Sequence, residues 1–264
     1  GTPNLLNQLV HINNLDNLTY SLEVLQSLQT VLREGEWKVT VAVRNNEEII
    51  AVFPGFKDEL FGIAVDVGST TIAAHLCDLS TGEVSGSAGL MNPQIRFGED
   101  LMSRVSYIMM NEGGEKDLTR VVREAINEII TTIISENNID AEDILEMTLV
   151  GNPIMHHLVL GIDPTELGAA PFALATDLSA DIKAKELNLN INSGSKLPSI
   201  CRCNSALGVL LIKLIICSDI FNFQSYRNLV FLFYHIHLGI LVLKHQHCQC
   251  KPLHLLYLIC QPYL

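Results

Sequence analysis

The stretch Gly62-Ile63-Ala64-Val65-Asp66-Val67-Gly68-Ser69-Thr70-Thr71 decides the fold. Phe61 to Val65 is apolar and short enough for a buried strand, and Thr71 to Leu79 returns as a second β-rich run. Between them lies a polar turn with one glycine and three consecutive hydroxyl side chains. A strand thus delivers Asp66 into a turn of small residues. Gly68 lets the backbone approach a phosphate closely. Turn N–H groups and the hydroxyls of Ser69, Thr70 and Thr71 can donate to phosphate oxygens. Asp66 can hold Mg²⁺, directly or through water, because that ion takes hard oxygen ligands and keeps much of its hydration shell. The turn is not a P-loop, since it has no Gly-Lys-Ser/Thr, nor a Rossmann loop, since a strand rather than a helix follows Gly68. The competing reading is an ordinary hairpin with Asp and Gly in its turn.

Working outward, the chain reads as alternating β and α segments. Upstream, Leu22, Leu25, Leu28, Val31 and Leu32 recur at helical spacing and predict a helix over about 18–33. Trp37 to Val43 and Ile49 to Phe53 read as strands around the polar turn Arg44-Asn45-Asn46-Glu47, and Pro54-Gly55 closes the unit. Downstream, Ser80-Thr81-Gly82-Glu83 is a turn before a third strand. A helix at about 99–111 is expected to place Leu101, Met102, Val105, Ile108 and Met109 on one side. A longer one at about 117–136 carries a stripe from Leu118 to Ile134. Ile144 to Val150 is a strand, Gly151-Asn152-Pro153 a sharp turn, and Ile154 to Leu160 a short helix. Three strands, two helices, a strand and a helix make an α/β layered domain, preceded by a small α+β unit.

Charge divides the chain. Overall it carries −12 over 264 residues with 48% hydrophobic residues, too apolar for simple disorder. Residues 1–197 hold 28 acids against 12 bases, whereas the tail from Pro198 has five bases and one acid, Asp219. The acidic balance argues against nucleic-acid binding, which needs basic patches. Cys77 is the only cysteine before the tail, which suits a reducing, cytoplasmic compartment. The chain begins Gly1-Thr2-Pro3 with no signal-peptide pattern, and the simplest reading is a fragment.

The phosphate turn lies where the sugar kinase, heat-shock ATPase and actin superfamily carries its first phosphate motif. A narrower series follows in order: Asn92-Pro93-Gln94, then Phe97-Gly98-Glu99-Asp100-Leu101-Met102-Ser103-Arg104, then Val150-Gly151-Asn152-Pro153-Ile154-Met155-His156-His157-Leu158, then Gly161-Ile162-Asp163-Pro164 and Ala170-Pro171-Phe172. This series resembles the ATP-dependent reductive activators of corrinoid proteins, ferredoxin-like iron–sulfur proteins with an actin-like ATPase domain. The resemblance covers about 59–198 and, more loosely, 1–57.

It implies an organisation: 1–57 a linker or middle-domain remnant, 58–198 the first half of the actin-like domain, and 199–264 an unmatched tail. It implies a function too, the use of ATP and Mg²⁺ to drive reduction of Co(II) corrinoid to Co(I) in methyl-transfer proteins. Asp66, Gly68, Ser69, Thr70 and Thr71 match the family's phosphate motif, and Gly151 and Asn152 are further candidates for the nucleotide cleft. The family's Gly-Asn-Thr-Thr-Met is here Gly151-Asn152-Pro153-Ile154-Met155, which lacks two hydroxyls. Family members carry an N-terminal 2Fe–2S domain, and its four thiolates are missing from this sequence, whose first cysteine is Cys77. Because only the first half of the actin-like domain is matched and half the cleft is missing, the chain alone is expected to bind ATP poorly or not at all. The expected partner is a corrinoid protein, with neither nucleic acid nor membrane, and the reading allows a homodimer. Two rival functions stay open: a docking module without ATPase activity, and a sugar-kinase-like phosphotransferase.

In the family, Leu-Pro-x-Ile leads into Ala-Gly-His-Val-Gly. Here Leu197-Pro198-Ser199-Ile200 is followed by Cys201-Arg202-Cys203-Asn204. Three readings of the tail compete. Cys201, Cys203, His245, His247, Cys248, Cys250, His254 and Cys260 suggest a metal site, although zinc modules favour Cys-x₂₋₄-Cys spacing. The runs Ala206–Cys217 and Leu229–Leu243 suggest membrane segments but fall short of the roughly 20 apolar residues a span needs. A shifted reading frame is favoured, since codons TGC-CGG-TGT read one base later begin with Ala-Gly.

Other residues read blandly. His156 and His157 cannot share a helix face and read as cap or surface residues. Glu99-Asp100 suits a helix start better than a cation site. Cys77 reads as a small core residue, and the acids between 112 and 146 as mostly a solvated face.

Overall fold

The computed structural model describes residues 18–44, 47–176, 180–192, 195–201 and 254–259. Helix α1 (Leu22–Glu34) is capped by Ser21, whose hydroxyl accepts from the Val24 N–H. It lies on a sheet ordered β1 (Thr19–Tyr20), β3 (Glu48–Pro54), β2 (Lys38–Arg44) and β10 (His254–Ile259). Strand periodicity sorts β2 cleanly. Val39, Val41 and Val43 face α1 and pack with Val24, Leu32 and Ile49. Thr40, Ala42 and Arg44 face the other way. A bulge between Ala42 and Val43 slips the β2–β3 register, so Ile50 and Ala51 both join the opposite cluster. Strand β10 falls within residues 199–264, the expected unmatched tail, and it pairs antiparallel with β2, Tyr257 opposite Thr40. The other tail features, Cys203, the His245–Cys250 cluster and the runs 206–217 and 229–243, lie outside the described residues.

The second unit is a six-stranded sheet ordered β6 (Val84–Met91), β5 (Thr71–Asp78), β4 (Phe61–Val67), β7 (Ile144–Gly151), β9 (Lys196–Cys201) and β8 (Ala180–Lys183). The first three strands are antiparallel neighbours, and β4, β7 and β9 run parallel. Three antiparallel strands followed by parallel crossovers is the layout of the first half of an actin-like domain. Helix α3 (Gly114–Asn137) covers one face, lying against β6 and β5, and its Leu118, Val122, Ile126, Ile129, Ile130 and Ile133 join Ile63, Val65, Val67 and Ile72 in one core. At 24 residues it spans about 36 Å.

Helix α2 (Leu101–Met110) departs from the expected stripe. Val105 and Ile108 are buried, but Met102 and Met109 are 47% and 64% exposed. The inward face is instead centred on Arg104, which is fully buried. The acids at its start act as a helix start requires, with Asp100 accepting from the Ser103 N–H at 2.7 Å. Those bonds from Ser103 hold the Asp100 carboxyl below its usual range. Cys77 is buried in β5.

The two units meet across Ala42, Ile50, Ala51 and Phe53 on one side and Leu60 and Leu145 on the other. Arg44 Nε donates to Glu146 Oε1 at 2.9 Å across this seam. Lys57 pairs with Asp143, a buried exception among the acids of 112–146. Lys185 pairs with Glu23 of α1, and that hydrogen bond holds the Glu23 carboxyl down to about 2.

Candidate functional site

The carboxyl ends of the parallel strands form one edge, where open α/β sheets bind ligands. Asp66 sits there near the end of β4, paired with Ala73 of β5 and Val150 of β7. Period-2 alternation turns Phe61, Ile63, Val65 and Val67 into the α3 core and leaves Asp66 on the opposite face. Its carboxylate is half-buried and has neither a hydrogen-bond donor nor a cation beside it among the described residues. Burial, with nothing to offset it, pushes the carboxyl up.

The turn that follows is tight. Gly68 N–H donates to the Thr71 carbonyl at 3.0 Å. A Cβ on Gly68 would lie 2.5 Å from that carbonyl oxygen, so no larger residue fits without moving the backbone. Ser69 is half-buried and Thr70 and Thr71 are exposed. The three hydroxyls make no hydrogen bond among the described residues and are free for a ligand.

A buried polar layer lies beneath the turn, and the sequence reading assigned it no role. Asn92 and Gln94, both fully buried, stand in a short 3₁₀ turn after β6. The Asn92 side-chain amide donates to Gly68 O at 2.8 Å, and the Asn92 backbone N–H to Thr70 O at 2.8 Å. Arg104 donates from Nη2 to Ser69 O, from Nε to Gly98 O at 3.0 Å, and from Nη1 to Gln94 Oε1 at 3.2 Å. Gln94 Nε2 in turn donates to Leu118 O at 2.9 Å, tying the layer to α3. Gly98 is required here, because a Cβ would come within 2.8 Å of the Ser103 and Arg104 backbone. The only signal in the sequence was the order of the motifs around Asn92 and Arg104. An arginine among apolar helix positions reads as solvated until its acceptors are placed.

Gly151 and Asn152 lie at the same edge, with Gly151 in register with Val67. The structure thus brings all seven candidates to the carboxyl ends of two adjacent strands. Asn152 caps α4 (Pro153–Leu160), its Oδ1 accepting from Met155 N at 3.0 Å. That duty occupies the side-chain oxygen and leaves the amide N–H₂ for a ligand. Met155 Sδ receives weak donations from Arg104 and Asn92, joining α4 to the buried layer.

His156 and His157 are not surface residues. Both are buried, because α4 is enclosed from Ile154 to Val159. Their rings meet edge-on, with centroids 5.8 Å apart. His157 Nδ1 lies 2.7 Å from Pro153 O, and Nε2 lies 3.1 Å from the Ala175 N–H. The carbonyl can only accept and the amide can only donate, so these partners assign the neutral Nδ1–H tautomer. His157 therefore pins the 161–176 segment to α4.

Residues 61–220 match the model of the RACo middle region, and residues 4–59 match that of the RACo linker region. The chain belongs to the RACo family of corrinoid activators. The middle-region match runs to residue 220, past Ile200, where the motif reading stops. A curated relative, the corrinoid activation enzyme RamQ of Eubacterium limosum, is 32% identical over 195 residues, which are 66% of this chain and 32% of that protein. A solved reductive activator for corrinoid, iron–sulfur protein superposes with a TM-score of 0.64 at 29% identity, covering 75% of this chain and 32% of the other. The chain thus spans about a third of the length of both. Within the RACo middle region lie the Asp66–Thr71 turn, the buried layer and α4. The RACo linker region holds α1 and strands β1, β2 and β3.

The residues at the edge fit Mg²⁺ with a nucleotide phosphate. No group of three or more His, Cys, Asp or Glu side chains that could cage a metal occurs among the described residues. Asp66, water and phosphate oxygens would complete the shell, the arrangement Mg²⁺ favours over an all-protein cage. No helix among the described residues is long and apolar enough to cross a membrane.

Proposed function

We propose that this chain is part of an ATP-dependent activator that reduces Co(II) corrinoid to Co(I) in a methyl-transfer protein of the cytoplasm. Within it, the Asp66–Thr71 turn takes the nucleotide phosphates. The observation that supports this most is Asp66 itself. A half-buried carboxylate with no donor and no cation among the described residues, beside three hydroxyls likewise unpaired there at the carboxyl edge of a parallel sheet, is costly unless a ligand relieves it. Two other carboxylates have partners: Asp143 has Lys57 and Asp100 has the Ser103 amide.

Mg²⁺–ATP, when bound, supplies the free energy for the uphill electron transfer. The chain's own residues have a narrower task. Asp66 would hold the hydrated cation, Ser69, Thr70 and Thr71 would donate to phosphate oxygens, and Gly151 and Asn152 would border the nucleotide on the β7 side. These residues line one side of the cleft only, so the chain alone binds ATP weakly. The linker-region unit, docked through Arg44–Glu146 and the Phe53–Leu145 seam, gives that side a fixed attachment to the rest of an activator.

The test is ATP-dependent reduction of a Co(II) corrinoid protein, followed by visible absorption, in an activator that contains this segment with its iron–sulfur and remaining nucleotide-binding parts. Asp66→Ala should abolish the ATP dependence. Reduction by Asp66→Ala at the parent rate would sink the reading. Phosphorylation of a small acceptor would favour a kinase instead.

A further inference from the structure

We propose that Arg104 is the positioning residue that aims the backbone N–H groups of Ser69 and Thr70 at a phosphate group. This rests on the phosphate reading of the turn above, and adds the device that makes the turn receptive.

Three successive carbonyls of the turn are drawn inward. Gly68 O accepts from the Asn92 side chain, Ser69 O from Arg104, and Thr70 O from the Asn92 N–H. In a planar trans peptide the C=O and the N–H that follows it point in opposite directions. Holding the carbonyls of 68 and 69 inward therefore turns the N–H groups of 69 and 70 outward, whereas Thr71 is extended and its N–H faces β4, as its carbonyl does. The Ser69 and Thr70 N–H groups make no backbone bond within the turn. Successive outward N–H groups form a concavity suited to an anion.

Arg104 sits at the middle carbonyl, and its character fits more than support. It is fully buried, yet no carboxylate pairs with it among the described residues. Its donors go to Ser69 O, Gly98 O, Gln94 Oε1 and Met155 Sδ, all uncharged. Asp100 acts on it only through space. A neutral donor would have held the Ser69 carbonyl at lower desolvation cost. A guanidinium adds an unneutralised positive charge directly behind the turn, where a bound phosphate feels it through protein rather than water. Charge and fork geometry thus act on the same ligand position.

The test uses this chain and inorganic pyrophosphate with Mg²⁺, read by the amide resonances of Ser69 and Thr70. In the parent chain the two amides should shift together and saturate, and pyrophosphate should slow their hydrogen exchange. In Arg104→Met the same titration should be weakened about tenfold, the scale of one hydrogen bond to a charged group. Arg104→Lys keeps the charge but not the fork, so it should fall between the two. A purely structural arginine would shift the unfolding midpoint and leave the pyrophosphate affinity of the folded fraction unchanged. That outcome overturns the role of Arg104 and leaves the phosphate turn standing. If the two parent amides fail to respond, both readings fall. Should Arg104→Met not fold, Arg104→Lys decides, and parental affinity in that variant overturns the proposal.

Discussion

The Asn92 side-chain amide donates to the carbonyl of Gly68 at 2.8 Å, across 24 residues of sequence. The bond ties the end of β6 to the turn after β4, with Asn92 fully buried. Its Oδ1 accepts from the Gln94 N–H at 3.0 Å. Asn92→Ala removes both bonds and leaves the Gly68 carbonyl without its donor. The expected loss is about 2 kcal/mol, the cost of a buried group left unsatisfied. Urea unfolding followed by circular dichroism checks it, and an unchanged midpoint would show that the turn does not depend on Asn92.

Gly68→Ala tests the turn from the other side. The obstacle is space rather than dihedral angle, since the added Cβ meets Thr71 O at 2.5 Å. The Gly68 N–H to Thr71 O bond at 3.0 Å must stretch to admit it. Stability should fall by about 1–3 kcal/mol, as for other locally forced backbones. The amide shifts of Ser69 and Thr70 should move, while those of α3 stay. Unperturbed turn amides in a folded Gly68→Ala chain would contradict the geometry.

What was legible in the sequence followed periodicity. The stripe from Leu118 to Ile133 found α3, and alternation in Trp37–Val43 found β2, because apolar spacing reports burial directly. The Asp66–Thr71 turn was legible too, since its residue types are chosen for local geometry. Arg104 and the His156–His157 pair were not. Their burial depends on acceptors supplied by Ser69, Gly98, Pro153 and other residues up to 51 positions away, and hydropathy carries no record of such partners. Met102 and Met109 were read inward because they share helical spacing with Val105, but the polar network had already claimed that face. The pairing of β10 with β2 joins residues more than 200 positions apart, beyond the reach of any local pattern.

The seam between the units rests partly on Arg44 and Glu146. Arg44 is 9% exposed and gives Nε to Glu146 at 2.9 Å, with Nη2 toward Leu145 O at 3.5 Å. Glu146→Ala leaves the guanidinium with Glu48 as its remaining carboxylate, at 3.7 Å. A fully buried pair would cost roughly 3–5 kcal/mol to break. Glu146 retains 29% side-chain exposure, and this reduces the expected loss to about 1–2 kcal/mol. The comparison to make is Glu146→Ala against Arg44→Met and the double variant. Near-additive losses would show that the two side chains do not act as a pair.

Asp66 gives the pH signature of the site. Burial raises its carboxyl above the ordinary 3.8, whereas the unfolded chain keeps the ordinary value. As pH rises, the unfolded chain therefore loses this proton first. The folded state binds more protons in that window, so stability falls with rising pH. The contribution of Asp66 is most favourable below about pH 3.8 and is lost as pH climbs through the raised folded-state value. Above that value a half-buried, unpaired charge remains. Asp66→Asn removes the charge and keeps the shape. At pH 7 the variant should be more stable than the parent by about 0.5–1 kcal/mol, the lower part of the range for stabilising substitutions because the carboxylate is only half-buried. Near pH 3 the two should converge. Mg²⁺ with pyrophosphate should reverse the order at pH 7, since the cation relieves the parent carboxylate and finds no charge in the variant. Urea unfolding at both pH values, with and without the ligand, measures all three. A parent already as stable as Asp66→Asn at pH 7 without ligand would mean that a protein group neutralises Asp66, and the case for a cation there would fall with it.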